Sequence, residues 1–230
     1  MKQLVIIGAG RFGREVYSWA AQSVHQRVEW TIKGFLDDRQ SILDRYAYPV
    51  GVIASPEEYE PQPEDVFSCA LGDPLSKQKY VEMLGARGAH FVSIIHPSVV
   101  LGHNVEFGEG VILCPLAVVS SDVRLGRFVT VNFHVSVGHD VRIGDFSQVH
   151  PHACLGGGCD IGERVTVGSN STLLPDAVVE SDAVVGAGTV VLKRVHSGDT
   201  VFGVPARRMP SARPRGEAPA PEGLNKQSME

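Results

Sequence analysis

From residue 95 onward an apolar side chain recurs at every sixth position, seventeen times in succession, from Ile95, Leu101, Phe107 and Leu113 through to Val179, Val185 and Val191. Four places after each of them a small or aliphatic residue nearly always follows, Val99, Val105, Val111 and Ala117 being the first, and glycine often fills the next place, as in Gly102, Gly108, Gly138 and Gly144. In a chain with 43% hydrophobic residues, so long a run in phase is not chance. A period of six matches neither the 3.6 of an α-helix nor the 2 of a simple strand; it suits short strands joined by sharp corners, one bulky residue pointing inward per side. Three hexads make one triangular coil of eighteen residues. A coil buries its inward residues only by stacking on the next, at roughly 4.8 Å. The pattern predicts a parallel β-helix of a little more than five coils over residues 95–191, without a phase slip. Glycine after the inward residue serves where the backbone turns tightly or is closely approached.

The first ninety or so residues carry a different pattern, strands alternating with helices. A short apolar strand at residues 4–7 runs into Gly8-Ala9-Gly10-Arg11-Phe12-Gly13 and then a helix with Val16, Trp19 and Ala20 on one face. A second strand, residues 31–36, ends at Asp37 and Asp38; another, residues 66–71, ends at Gly72 and Asp73; residues 76–85 read as a helix. Glycines spaced in this way between a strand and a helix are the context in which backbone amides and a helix N-terminus face a phosphate. Asp37 stands near the distance at which an acid reaches a ribose hydroxyl. About ninety residues hold one βαβαβ half, the size for a mononucleotide, so the expected ligand is a nucleoside diphosphate attached to something else, such as a sugar. The domain boundaries expected are 1–92 for this Rossmann-like half domain, 93–210 for the β-helix and its C-terminal loop, and 211–230 for a disordered tail rich in Pro, Ala, Gly and charge.

A formal net charge of −5 without a basic run points away from nucleic acid. No apolar run of membrane length occurs, which leads to the expectation of a cytoplasmic protein without membrane insertion. The four cysteines, Cys69, Cys114, Cys154 and Cys159, lack zinc-ribbon spacing, and Cys159 falls on an inward position as a small apolar filler.

Six of the nine histidines lie in the repeat, and the eighteen-residue register sorts them: His134 falls beneath His152, Asn132 beneath His150, and His139 beneath Gly157 in Gly156-Gly157-Gly158. The last pair matters most. An imidazole beside an open glycine backbone can take a proton from an attacking amine or hydroxyl while an amide N–H stabilises the oxyanion. Asp140 could hold or polarise the ring. His134, His152 and His150 on one face raise a metal-binding alternative, but zinc needs three ligands and a water, and no metal is expected from proximity alone.

Together the glycine loop, Gly34-Phe35-Leu36-Asp37-Asp38, Ala70-Leu71-Gly72-Asp73, Ile95-His96-Pro97-Ser98, Asn132 with residues 138–146, and Gly203-Val204-Pro205-Ala206-Arg207 resemble the bacterial sugar acyltransferases, the NeuD/PglD-like family. These are typified by sialic acid O-acetyltransferases and N-acetyltransferases of nucleotide-linked 4-amino-sugars. The resemblance implies a homotrimer of left-handed β-helices, each preceded by a small Rossmann-like domain for the nucleotide sugar, with acetyl-CoA as co-substrate in the groove between neighbouring helices. It implies that His139 is the general base and Asp140 its partner. Asn132, His134, Gln148 and Gly157 would surround the acetyl group, and Arg207 would approach coenzyme A. Gly8, Gly10, Arg11, Phe12, Gly13, Asp37, Asp38, Gly72 and Asp73 would hold the nucleotide-linked acceptor. Some amino-sugar members carry a second histidine where this chain has Gln148, a departure that bears on substrate identity more than on reaction class. The function expected is acetyl transfer to the amino group of a UDP- or GDP-linked amino-sugar; the alternatives are O-acetylation of a free sugar such as sialic acid, and a metal-binding hexapeptide protein.

Overall fold

The computed structural model describes residues 1–23 and 30–210 of the chain; the expected tail lies outside them. Four parallel strands, β1 (Lys2–Ile7), β2 (Trp30–Leu36), β3 (Val52–Ala54) and β4 (Asp65–Cys69), form a sheet in the order β3-β2-β1-β4. Leu4 and Ile6 pack with Val16, Trp19 and Ala20 of α1 (Arg11–Ser23), whereas Val5 and Ile7 pack with Val81 and Leu84 of α2 (Pro74–Ala86). Each face of the sheet is thus covered by one helix, which is why β1 reads as an unbroken apolar run. The apolar pattern did not mark β3, which is three residues long and only partly buried. Among the described residues no helix is long and apolar enough to cross a membrane.

From β5 (Ile94–Ile95) the chain winds into a parallel β-solenoid whose short strands, down to β23 (Thr200–Phe202), stack into three sheets. These form three faces, carrying outward Thr130 and Gln148 on the first, Ser136 and Cys154 on the second, and Arg124 and Arg142 on the third. Partners stand eighteen apart from Ile94↔Ile112 to Thr172↔Val190. The last turn is two residues shorter, pairing Val178 with Arg194 and Val184 with Thr200. Val195 and Val201 thereby continue the ladder where strict hexads would have inserted Ser197. The inward residues from Val111 to Val201 make one core that includes Cys159. Leu101 and Phe107 remain 41% and 40% exposed because their coil is stacked on one side only.

The glycines have a more specific role than the pattern suggested. Left-handed backbone falls three places after the inward residue, at Asn104, Asp122, His134, Asp140 and their equivalents, mostly without glycine. Asn and Asp tolerate that region because their short side chains bond locally. The glycine directly after the inward residue instead permits close approach: a Cβ on Gly144 would stand 2.6 Å from the Gly162 carbonyl carbon of the next coil. We therefore expect Gly144→Ala to force the coils apart and cost about 1–3 kcal/mol, read as a lower denaturant midpoint.

The α/β unit sits on the first face. Ile94, Ile112 and Cys114 share a core with α1, and Phe128 and Phe146, stacked at 5.3 Å, share one with α2, Phe67 and Phe91. Three polar ties cross this junction among the described residues, one of them between His96 Nε2 and Gln22 Oε1 at 2.8 Å. The fully buried Lys77 donates from Nζ to the Phe128 carbonyl and to Thr130 Oγ1, both at 2.9 Å, and Gln148 Nε2 donates to the Leu71 carbonyl at 2.9 Å.

Candidate active site

His139 and Asp140 occupy the corner between the second and third faces, a position dictated by the repeat: Val137 points inward, Gly138 lets the next coil approach, and the chain turns through Asp140 at φ 60°. His139 Nδ1 lies 2.8 Å from Asp140 Oδ2, and both side chains are exposed. A carboxylate can only accept, so the neutral ring carries its proton on Nδ1 and leaves the Nε2 lone pair free. The ring lies over Gly157, where a Cβ would come within 2.6 Å of Cε1 and 2.7 Å of Nε2. The Gly158 amide donates to the His139 carbonyl at 2.8 Å and fixes the two corners together. A free imidazole nitrogen, a carboxylate that orients it and an open backbone form the parts of a general base beside a polarised carbonyl. Asp140 also borders a charged cavity of about 340 Å³ on the third face, with Arg124 and Arg142.

The other corner of the second face carries Asn132, His134 and their neighbours above. Asn132 Oδ1 accepts the Phe133 amide at 2.8 Å. His134 and His152 stack ring on ring with centroids 5.0 Å apart and planes within 7°, Phe133 meeting both edge-on. The pKa of half-buried His150 is lowered by desolvation and then by the charge of Lys77. Among the described residues no group of three or more His, Cys, Asp or Glu is placed to share a metal ion. All four cysteines are free thiols. Gln148 is spent on the junction with Leu71 and does not join His139; the two lie on different sides of the solenoid. Arg207 is exposed on the last strand, β24 (Arg207–Arg208), paired antiparallel to β23.

In the α/β unit the carboxyl ends of β1, β2 and β4 open a crevice of about 220 Å³ where the strand order reverses, the place at which open α/β sheets take ligands. Gly8, Asp37, Asp38, Leu71 and Tyr80 line it. Asp37 behaves differently from the sequence expectation: it is 7% exposed and accepts from the Ala9 amide at 2.9 Å, from the Arg39 amide at 3.0 Å and from the Arg39 guanidinium. Desolvation acts to raise its pKa, but these bonds outweigh it and hold the carboxyl below the usual range. Asp37 therefore pins the glycine loop to the end of β2, and a ribose contact would have to displace Arg39. Asp38 shifts the opposite way, raised by desolvation and by Glu57, with the Tyr80 hydroxyl 3.4 Å away. Asp73 caps α2, accepting the Ser76 amide at 2.7 Å, and Gly72 borders open space. Gly13 is required by contact, since a Cβ there would collide with the Gly8 carbonyl. Arg11 lines a cavity with Gly10, and Phe12 packs edge-on against Trp19 at 6.0 Å. Pro56 and Tyr80 went unmarked in the sequence because the loop after β3 and α2 bring them to the crevice without any local signal.

Solenoid and glycine-loop unit together define a hexapeptide-repeat acyltransferase. The family model "PglD N-terminal domain" matches residues 3–84, and "Bacterial transferase hexapeptide (six repeats)" matches residues 158–193. Among solved structures, the acetyltransferase domain of PglB from Neisseria gonorrhoeae in complex with acetyl coenzyme A is 28% identical, with a TM-score of 0.82 over 90% of this chain and 99% of that one. A mutant of perosamine N-acetyltransferase from Caulobacter crescentus, in complex with CoA and GDP-perosamine, is 26% identical, with a TM-score of 0.84 over 92% and 98%. WeeI from Acinetobacter baumannii shares the fold, at 24% identity and a TM-score of 0.69 over 91% and 100%. The chain belongs to the PglD-like sugar acetyltransferases.

Proposed function

We propose that the protein transfers the acetyl group of acetyl-CoA to the amino group of a nucleotide-linked amino-sugar, and that it works as a homotrimer. The observation that carries the chemistry is His139 oriented by Asp140 over the bare backbone of Gly157. The complexes of two similar proteins, one with acetyl coenzyme A and one with CoA and GDP-perosamine, support the donor and the acceptor class.

His139 Nε2 takes the proton of the attacking amine as its nitrogen bonds to the thioester carbonyl carbon. The Gly157 amide faces the oxygen that becomes negative. Collapse breaks the C–S bond, and the leaving thiolate takes the proton back from the imidazolium, so no acyl-enzyme forms. Within one chain the crevice adjoins the first face, while His139 lies beyond it across the second face, a side of six residues or about 20 Å of extended chain. The exposed Val100, Val118 and Leu116 lie on or beside that second face, 58%, 43% and 50% accessible. Packing this face between copies buries them and sets His139 of one protomer against the acceptor domain of another. Incubation with acetyl-CoA and a panel of UDP-, GDP- and dTDP-linked 4-amino-sugars should yield a product heavier by one acetyl group with at least one of them by mass spectrometry. Acetylation of free sugars alone would reject the reading.

A further inference from the structure

Thr130 and Gln148 are neighbouring outward residues of the first face, paired in register, and both are buried. Between them they hold the two ends of one short segment of the α/β unit. Thr130 Oγ1 accepts from Lys77 Nζ at 2.9 Å, and Gln148 Nε2 donates to the Leu71 carbonyl at 2.9 Å. Residues 71–77 thus bear on the crevice at the strand ends, since Leu71 lines it and so does Tyr80, about one turn of α2 after Lys77. On the sheet side of Leu71 the Ala70 amide donates to the Ile7 carbonyl at 2.9 Å, and on the other side Asp73 caps α2 through the Ser76 amide. In between, the tie comes from the solenoid. Gly72 has open space beside it, so no side chain packs the loop into place there. Leu71 reaches across to the glycine loop, where a Cβ on Gly8 would stand 2.8 Å from its Cδ2. The place of the Leu71 backbone therefore sets how closely the wall of the crevice approaches Gly8.

We propose that Gln148 is a positioning residue for the acceptor: it sets the crevice wall at Leu71 instead of touching the acetyl group. Without its donor the Leu71 oxygen is left desolvated and unpaired, and the wall relieves this by moving out toward water. The inference rests on the crevice taking the nucleotide-linked acceptor. It is tested by steady-state kinetics, and by calorimetry with UDP, GDP and acetyl-CoA, on the full-length protein, Gln148→Met and Gln148→His. Methionine keeps the length and loses the donor, whereas the imidazole Nε2 stands as many bonds from Cβ as the amide nitrogen does and can donate. In Gln148→Met the KM for the acceptor and the Kd of the preferred nucleoside diphosphate should rise about tenfold, with kcat at saturating acceptor and acetyl-CoA affinity within about twofold of the parent. Gln148→His should recover most of the loss. Acetyl-CoA binding shows that each variant is folded, and Gln148→Glu, which cannot donate when ionised, replaces Gln148→Met if that variant does not fold. A lower kcat or weaker acetyl-CoA binding with the acceptor KM unchanged would overturn the proposal and return Gln148 to the acetyl group. Unchanged constants throughout, or equal losses in the Met and His variants, would overturn it as well. Weakened nucleoside diphosphate binding in Gln148→Met without acetylation of any nucleotide amino-sugar would keep the positioning role and defeat the acceptor reading, and a parent that binds neither UDP nor GDP would defeat both.

Discussion

His139→Ala should lower turnover by about 10²–10⁴-fold while leaving the affinity for acetyl-CoA nearly unchanged, because it removes a proton acceptor used in the transition state and no group that holds the donor. Steady-state kinetics with an excess of acceptor, together with donor titration, separates the two quantities; a variant with full turnover would exclude His139 from the chemistry. The same experiment on Gly157→Ala adds a geometric control. Backbone conformation at that position suits any residue, but the new Cβ would stand 2.6–2.7 Å from the His139 ring, so the imidazole must swing away. Turnover should fall with little change in unfolding midpoint, since the ring is exposed and free to move.

The second large effect concerns the junction between the α/β unit and the solenoid. Burial lowers the Lys77 pKa from the ordinary 10.5 to about 8, and the buried thiols Cys69 and Cys114 pull the other way without compensating. Between these values the unfolded chain binds a proton that the folded chain has released, so stability contributed by this group rises with pH across that window. Below pH 8 both states are protonated and the cost of burying the charge is felt in full. The gain amounts to roughly 3 kcal/mol from one end of the window to the other. Cys69 acts in the opposite sense, since burial pushes its thiol up to about 11 and the folded chain keeps a proton that the unfolded chain loses. The measurement is therefore a difference: urea midpoints of the parent minus those of Lys77→Met, taken from pH 7 to pH 10, should climb. A flat difference would show that Lys77 is solvated. The junction matters for catalysis because Lys77 lies one turn into α2, whose cap Asp73 follows the Leu71 carbonyl held by Gln148.

The solenoid was legible because an inward position must be apolar whatever packs outside it, and the hexad period repeats that demand along the whole ladder. Its eighteen-residue register alone also sets His139 against Gly157 and His134 against His152. It stopped being informative after Val191, where the last turn is shortened and the sequence period alone would have carried Ser197 inward. In the α/β unit the strand-to-helix spacing located the glycine loop, but spacing could not say that Asp37 turns back to Ala9 and Arg39. Nor could it bring Arg45 and Tyr46 to the start of α1, since they reach it through a loop of no fixed period.

Outward positions are where sequence and tertiary structure part. Thr130, Gln148 and Ser136 occupy equivalent outward places on the coils and look alike along the chain. Thr130 and Gln148 are buried and receive or make bonds across the junction, while Ser136 is exposed on the second face. Periodicity records only whether a side chain points in or out, a property each hexad settles for itself through the hydrophobic effect. Which outward face is covered depends on how two separately patterned units dock, and that is decided by the fit of Phe128, Phe146 and Lys77 against α2, contacts that span some fifty residues or more of chain and leave no trace in any local repeat.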